Sequence, residues 1–279
     1  MKKLWRKIPK SLAERIAISF LTVALPGVLY FEIFHVFPVV HQTETESKVH
    51  MGIVAFIFLQ TVTNFYKLVS SDSSHRRVFL PSVIPKENPG WIYCPFCQVN
   101  APPRSTHCHV CSTCVLRRDH HCYFSGSCVG FYNHRYFLLF VVYLVIGCLY
   151  CIIQNTEFIV GLADRITMGT IACMFFPIFT LFLDVDSHVT SASLFIYSLC
   201  IVAGLMTSGL LAWQLNQILR GQTGREYNEN NFKYDSGSYR KNLMQVLGTR
   251  WYLTWIAPWV PSPLIGDGTE FSPADGKSS

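Results

Sequence analysis

Charge is what this chain of 279 residues has least of. Only 14% of its residues are charged against 50% that are hydrophobic, and its mean hydropathy is positive. That balance excludes an ordinary soluble enzyme and points to a polytopic membrane protein. Basic residues outnumber acidic ones, 23 to 17, yet they are spread along the chain rather than gathered into a patch. No helix with zinc-finger histidine spacing follows the first cysteine pair, so nucleic acid is excluded as a partner. A small-residue cleavage pattern is also lacking after the basic N-terminal stretch. The apolar run that follows is far longer than a signal core of about 7–15 residues and reads as a retained anchor.

Four apolar runs are long enough to cross a bilayer, which takes roughly 20 helical residues. They are Ile16 to Val40, Val49 to Val69, Tyr136 to Ile153 and Ala192 to Leu219. A shorter stretch, Ile166 to Val185, is interrupted by Pro177 and reads as a re-entrant or interfacial segment, the alternative being a fifth span. Orientation follows the lysines and arginines. Lys2, Lys3, Arg6, Lys7, Lys10 and Arg15 place the N-terminal tail in the cytosol. Arg76, Arg77, Lys86, Arg104, Arg117, Arg118 and Arg135 do the same for the segment before the third span, and Arg220, Arg225, Lys233, Arg240, Lys241 and Arg250 for the C-terminal tail. Glu44 and Glu46, and later Glu157, Asp164, Asp184 and Asp186, mark the lumenal connections. The expected architecture is an α-helical polytopic membrane protein: a basic tail (1–15), helices one and two (16–69), a cytosolic cysteine-rich domain (70–135), helices three and four with the candidate re-entrant segment 166–185 (136–219), and a cytosolic tail (220–279).

Between Cys94 and Cys128 lie seven of the eleven cysteines and four histidines. Reducing conditions in the cytosol make metal binding or catalysis, rather than disulfides, the expected use of clustered thiols. Two zinc ions held by Cys and His need eight ligands, and six cysteines with two histidines supply them. Cys94-x2-Cys97 and Cys108-x2-Cys111-x2-Cys114 have knuckle spacing, while Pro95, Pro102 and Pro103 argue against a helix or a long strand, so metal rather than a core holds up a loop-rich module. Sites closed by protein ligands leave no open position for a metal-bound water, which argues against hydrolysis. One thiol remains. Cys122 lies two residues after His120 and three after Asp119, the surroundings of an activated thiolate. Cys148, Cys151, Cys173 and Cys200 fall in apolar runs and read as small buried hydrophobes.

Pro102-Pro103-Arg104-Ser105 before His107-Cys108, then Asp119-His120-His121-Cys122, then Cys128-Val129-Gly130-x2-Asn133-x3-Phe137 resemble the cysteine-rich domain of the DHHC protein S-acyltransferases (palmitoyltransferases). Thr223-Gly224-Arg225-Glu226 is similar to that family's Thr-Thr-x-Glu motif, and Asn242-x4-Leu247-Gly248 to its Asn-containing element. The ending with Trp251, Trp255, Pro258, Pro263, Gly266-Asp267-Gly268 and Phe271 is similar to that of one small member. The resemblance implies transfer of a fatty acyl group, palmitoyl as the expected one, from acyl-CoA to protein cysteines at the cytosolic face of an endomembrane, ER or Golgi. The tail, ending Lys277-Ser278-Ser279, shows no retrieval signal. Position by position, the resemblance assigns Cys94, Cys97, His107 and Cys114 to one structural zinc and Cys108, Cys111, His121 and Cys128 to a second. Cys122 becomes the nucleophile, His120 its base and Asp119 the residue that orients His120. Implied partners are acyl-CoA, the bilayer and proteins with membrane-proximal cytosolic cysteines. Phe137 to Val145 and Leu194 to Leu211 are candidates to line an acyl cavity, and Arg117 and Arg118 to meet CoA phosphates or anionic headgroups.

The chain departs from the family pattern after its motif. Tyr123-Phe124-Ser125-Gly126-Ser127-Cys128 stands where Pro-Trp-x-Asn-Asn-Cys is usual, so only the ring of Phe124 remains to pack over an acyl entrance. Gly224 replaces the second threonine, Leu247 replaces an aromatic residue, and His109 is an extra histidine available as an alternative ligand. A membrane-anchored RING module is the competing class, but it needs a longer second interval than Cys108-x2-Cys111-x2-Cys114. A third reading is a catalytically weak or inactive scaffold. The four-span orientation predicts that a glycosylation acceptor fused after Ser279 stays unmodified while one inserted between His41 and Lys48 is glycosylated; modification of the C-terminal acceptor would overturn it.

Overall fold

A computed structural model of the chain describes residues 11–84, 90–162, 168, 176 and 188–271. Among them, four stretches are long and apolar enough to cross a membrane: Leu12–Val40, Glu44–Ser70, His134–Gly161 and Ala192–Leu219. The first is α1 (Leu12–Phe31), which continues through a π turn (Glu32–Val36) into α2 (Phe37–Val40). The others are α3 (Glu44–Ser70), α4 (His134–Leu162) and α5 (His188–Leu219). All four expected spans are present; the first three begin earlier than their apolar runs, and the fourth has the expected bounds. The extra residues come from polar helix starts. Ser11 and Glu14 form a reciprocal capping box at α1, Ser11 N donating to Glu14 Oε2 and Glu14 N to Ser11 Oγ, both at 3.1 Å. Thr43 and Glu46 repeat it at α3 at 3.3 and 3.2 Å. Each box satisfies two amides that lack an intrahelical partner. The candidate re-entrant segment 166–185 and Cys173 lie outside the described residues, apart from positions 168 and 176.

The chain forms two compact units, one of Met1–Leu21, Val62–Phe140 and Ala212–Ser279, the other of Thr22–Thr61 and Val141–Leu211. The second unit is purely helical among its described residues. Its core is Phe31, Val36, Phe37, Val54, Phe158, Ile159 and Leu194, and a buried side-chain bond from Asn155 Nδ2 to Glu32 Oε1 at 2.5 Å joins two of its helical stretches.

The first unit holds the cysteine-rich segment as three antiparallel hairpins: β1 (Ile92–Cys94) with β2 (Val99–Ala101), β3 (Thr106–Cys108) with β4 (Thr113–Val115), and β5 (His120–Cys122) with β6 (Ser127–Val129). Every strand has three residues. The four-residue loops each place their last residue in the left-handed region, at Gln98 (φ 55°), Ser112 (φ 51°) and Gly126 (φ 59°), which turns the chain back within one knuckle. Strands this short bury too little to stand alone. They are tied to the helices by Asn133, whose buried amide makes four bonds. Its Oδ1 accepts from Gly130 N at 2.8 Å and Ser73 Oγ at 3.0 Å, and its Nδ2 donates to Cys128 O at 3.0 Å and Leu68 O at 3.3 Å. Beside it, Gly130 is so close to its neighbours that a Cβ would lie 2.7 Å from both Leu116 O and Val115 Cγ1.

Asn133→Ala would strand these buried groups and should lower stability by about 3 kcal/mol, read as a drop in the thermal midpoint of the detergent-solubilised protein. An unchanged midpoint would refute the clamp.

Candidate active site and metal centres

The alternation of strand side chains builds the site. In β3, His107 and Cys108 face opposite ways; in β5, His121 and Cys122 do the same. His107 lies directly across from Cys114, and His121 directly across from Cys128. Two groups result, Cys94, Cys97, His107 and Cys114, and Cys108, Cys111, His121 and Cys128, with the ligand atoms of each within 4.8 Å of one another. A tetrahedral zinc with ordinary bond lengths sets a sulfur to nitrogen edge of about 3.6 Å and a sulfur to sulfur edge of about 3.8 Å. His107 Nδ1 lies 3.6 Å from Cys94 Sγ and 3.3 Å from Cys97 Sγ. His121 Nδ1 lies 3.7, 3.3 and 3.6 Å from the sulfurs of Cys108, Cys111 and Cys128, and Cys111 and Cys128 are 3.7 Å apart. Both donor sets fit zinc. Each residue of the second set lies 14 positions after its counterpart in the first.

With Nδ1 turned to the sulfurs, His121 offers Nε2 to Glu14 Oε1 at 2.9 Å, the outer carboxylate that fixes the orientation of a ligating imidazole. Glu14 thus caps α1 and holds a candidate ligand. His109 packs edge-on to His107, 5.1 Å between ring centroids, and belongs to neither group.

Cys122 also lies outside both groups. It shares a strand face with His120, two residues earlier. His120 Nδ1 is 2.7 Å from Asp119 Oδ2, which leaves Nε2 to the thiol, and its ring lies edge-on to Phe137 at 4.8 Å. Asp119 is buried and held from two more sides: Gln214 Nε2 donates to Oδ2 at 3.1 Å and Gly224 N to Oδ1 at 2.8 Å. Burial alone would raise the Asp119 carboxyl, but the imidazole of His134, the His120 bond and the Gly224 amide outweigh it and hold the group well below the usual carboxylate range. Burial likewise favours neutral His120, yet the bonds to Asp119 and Cys122 push it up to about 9. For Cys122 burial is again opposed, here by His120 and Ser125, and the thiol ends below its ordinary 9.0. These directions favour a thiolate paired with an imidazolium.

The tail reaches the same carboxylate through α6 (Gly224–Asn228). Thr223 and Glu226 form its capping box. Glu226 also takes a two-pronged bond from Arg104, Nε to Oε1 at 2.8 Å and Nη2 to Oε2 at 2.6 Å, while the guanidinium lies over the rings of Tyr234 and Phe271. Further on, α7 (Tyr239–Leu247) carries buried Asn242, whose Nδ2 donates to Leu219 O at 2.8 Å and so satisfies a free carbonyl at the end of α5. Arg117 does not face outward as a phosphate contact would require. It is 1% exposed, donates from Nη1 to Gln245 O, and burial with the nearby Arg104 lowers it to about 9 despite Glu226 and Asp119. Arg118 is half-buried, with Nη1 3.5 Å from Thr106 Oγ1. Phe124 is exposed, and Tyr123 stands edge-on to His121.

Residues 87–231 match the family model described as DHHC palmitoyltransferase. The chain belongs to the DHHC palmitoyltransferase family. It is 34% identical to the zebrafish protein named probable palmitoyltransferase ZDHHC24 over 97% of this chain and 94% of that one. It is also 34% identical to the human protein of the same name over 79% of this chain and 77% of that one, and 29% identical to zebrafish palmitoyltransferase ZDHHC22 over 45% of this chain and 47% of that one. The type 24 protein is the small DHHC member whose ending this chain's C-terminus resembles, and the whole-length identity supports that likeness.

Two residues beside the DHHC motif escape a reading of the sequence. Gln214 comes from a helix 95 residues away, and no local signal points to it. Glu14 is visible as part of a capping box, but nothing in the sequence ties it to His121. The departure at Gly224 proves mild, because the contact with Asp119 is made by the backbone amide. Proline is well tolerated at the first position of a helix but has no N–H. Gly224→Pro should therefore keep α6 while slowing alkylation of Cys122 by iodoacetamide roughly tenfold, the loss expected for one bond to a charged group. An unchanged rate would show that this amide does not matter to the thiol.

Proposed function

We propose that this chain is a protein S-acyltransferase that carries a fatty acyl group, palmitoyl or one of similar length, from acyl-CoA to cysteine thiols of proteins lying against the membrane. The observation that carries this reading is that Cys122 stands outside both metal groups, on the strand face that also presents an aspartate-held imidazole. A nucleophile, a base and a group that orients the base are the parts that acyl transfer through a covalent intermediate needs.

In the first half-reaction the Cys122 thiol gives its proton to His120 and the thiolate attacks the carbonyl carbon of acyl-CoA. The carbon to sulfur bond of the donor breaks, CoA leaves and takes the proton from His120, and the acyl group stays on Cys122 as a thioester. In the second, a substrate thiol loses its proton to His120 and attacks that thioester, and Cys122 leaves as a thiol by taking the proton back. One thioester replaces another at each step, so little energy is lost. Asp119 fixes the imidazole tautomer and stabilises the imidazolium. The two structural zinc ions, held by Cys94, Cys97, His107 and Cys114 and by Cys108, Cys111, His121 and Cys128, would pin the strands that carry the reacting groups.

A membrane location suits the donor, since each buried CH2 of the acyl chain gains about 0.8 kcal/mol. The positive-inside pattern supports a cytosolic face for Cys122 and an endomembrane address, ER or Golgi, follows by likeness to the family. Cys122→Ser should abolish hydroxylamine-sensitive labelling by a clickable fatty acid while the purified protein keeps two zinc ions per chain; mass spectrometry of the acyl group on the wild-type thiol identifies the preferred length. No label on the wild type would remove the enzyme reading, and loss of a zinc ion in the variant would make Cys122 a ligand instead.

A further inference from the structure

The 14-residue spacing that relates the two metal groups does not end with the second one. Cys94 and Cys108 occupy the last positions of β1 and β3, and 14 residues further the last position of β5 is Cys122. Cys97 and Cys111 have Ser125 as their counterpart, and the left-handed residues Gln98 and Ser112 have Gly126, which shares their backbone conformation. The third hairpin pairs in the same register, Cys122 across from Ser127 as Cys108 is across from Thr113 and Cys94 from Val99. The two remaining ligands of a third group would fall at 135 and 142, where the chain has Arg135 and Val142 within α4.

We propose that the β5–β6 hairpin is a third zinc knuckle kept free of metal by a serine in place of its second thiol, and that the hydroxyl of Ser125 instead donates to the sulfur of Cys122. The proposal rests on the reading of Cys122 as nucleophile and of the first two groups as zinc sites. In a metallated knuckle the loop turns a backbone amide toward the first sulfur, as Cys111 N does toward Cys108 Sγ at 3.4 Å. In the third, Ser125 N donates to Cys122 O at 3.3 Å, so the residue is folded back over Cys122. Ser125 is 3% exposed. Its Oγ lies 3.3 Å from Cys122 O, 3.4 Å from Ser127 O and 3.1 Å from Ser127 Oγ, so the hydroxyl is held inside the loop beside Cys122. A donor here favours sulfur when it carries charge, before attack and as it leaves. A second thiol would do the opposite, because with Cys122 and His120 it would give a metal three ligands. On this proposal Ser125 acts on the reacting sulfur, from within the segment where this chain departs from the usual family pattern.

The test uses the full-length protein in detergent, with zinc content measured by elemental analysis and Cys122 followed by single-turnover acylation and by iodoacetamide. Ser125→Ala should keep two zinc ions and acylate about tenfold more slowly, and Ser125→Thr, which restores a hydroxyl, should recover most of the rate. Ser125→Cys, given one added equivalent of zinc, should rise from two ions per chain to three and lose alkylation of Cys122, while the wild type under the same conditions stays at two and remains reactive. If Ser125→Ala acylates at the wild-type rate, the hydroxyl has no role. If folded Ser125→Cys stays at two ions with Cys122 still reactive, the third-knuckle geometry is wrong. A wild type without two zinc ions or without acylation would instead overturn the underlying reading of the site.

Discussion

A three-residue strand can present its middle and last side chains only to opposite faces, and the arrangement around Cys122 depends on that constraint. The middle residue of β3 reaches back to the group begun by β1, and its last residue reaches forward to open the next group. Strand β5 repeats the step with His121 and Cys122. Adjacent residues in the motif therefore have unrelated surroundings: His121 sits among sulfurs, while His120 and Cys122 share a face with neither metal group. The same alternation interleaves the two ligand sets along the chain.

Around this frame, Asp119 is the point at which distant parts of the first unit converge. It receives His120 from its own segment, Gln214 from α5 and the Gly224 amide from α6. The Arg104 and Glu226 pair, almost wholly buried, sets where α6 begins and so where that amide points. A buried ion pair is a poor source of net stability, because the desolvation of both charges offsets their attraction. Losing one partner, by contrast, costs about 3–5 kcal/mol. The pair is better understood as fixing one position for the tail than as strengthening the fold.

The four spans and the metal-bearing segment were legible because apolar run length and Cys-x2-Cys spacing are local signals. Helix ends were less so: Ser11 with Glu14 and Thr43 with Glu46 extend α1 and α3 into polar sequence that hydropathy counts as outside. Spacing alone could not say which histidine joins which pair of thiols; the resemblance proposed an assignment, and strand alternation gives the physical reason the residues group as they do. Arg117 was misread for a related reason. A basic residue next to the motif suggests an outward-facing charge, but its backbone, at φ 42°, leads into a segment that turns the guanidinium inward onto Gln245 O. Gln214 was illegible because only tertiary packing brings it to Asp119.

The 14-residue spacing also bears on how such a chain can vary between relatives. A one-residue slip in the pairing of a hairpin would swap the faces of its strands, sending a ligand histidine to the thiol side and the thiol into the metal. Length changes between β1 and β6 are therefore tolerated only where a loop absorbs them without shifting the pairing. Homologous chains should vary in size more readily before Trp91 and after Val129 than between Cys94 and Cys128.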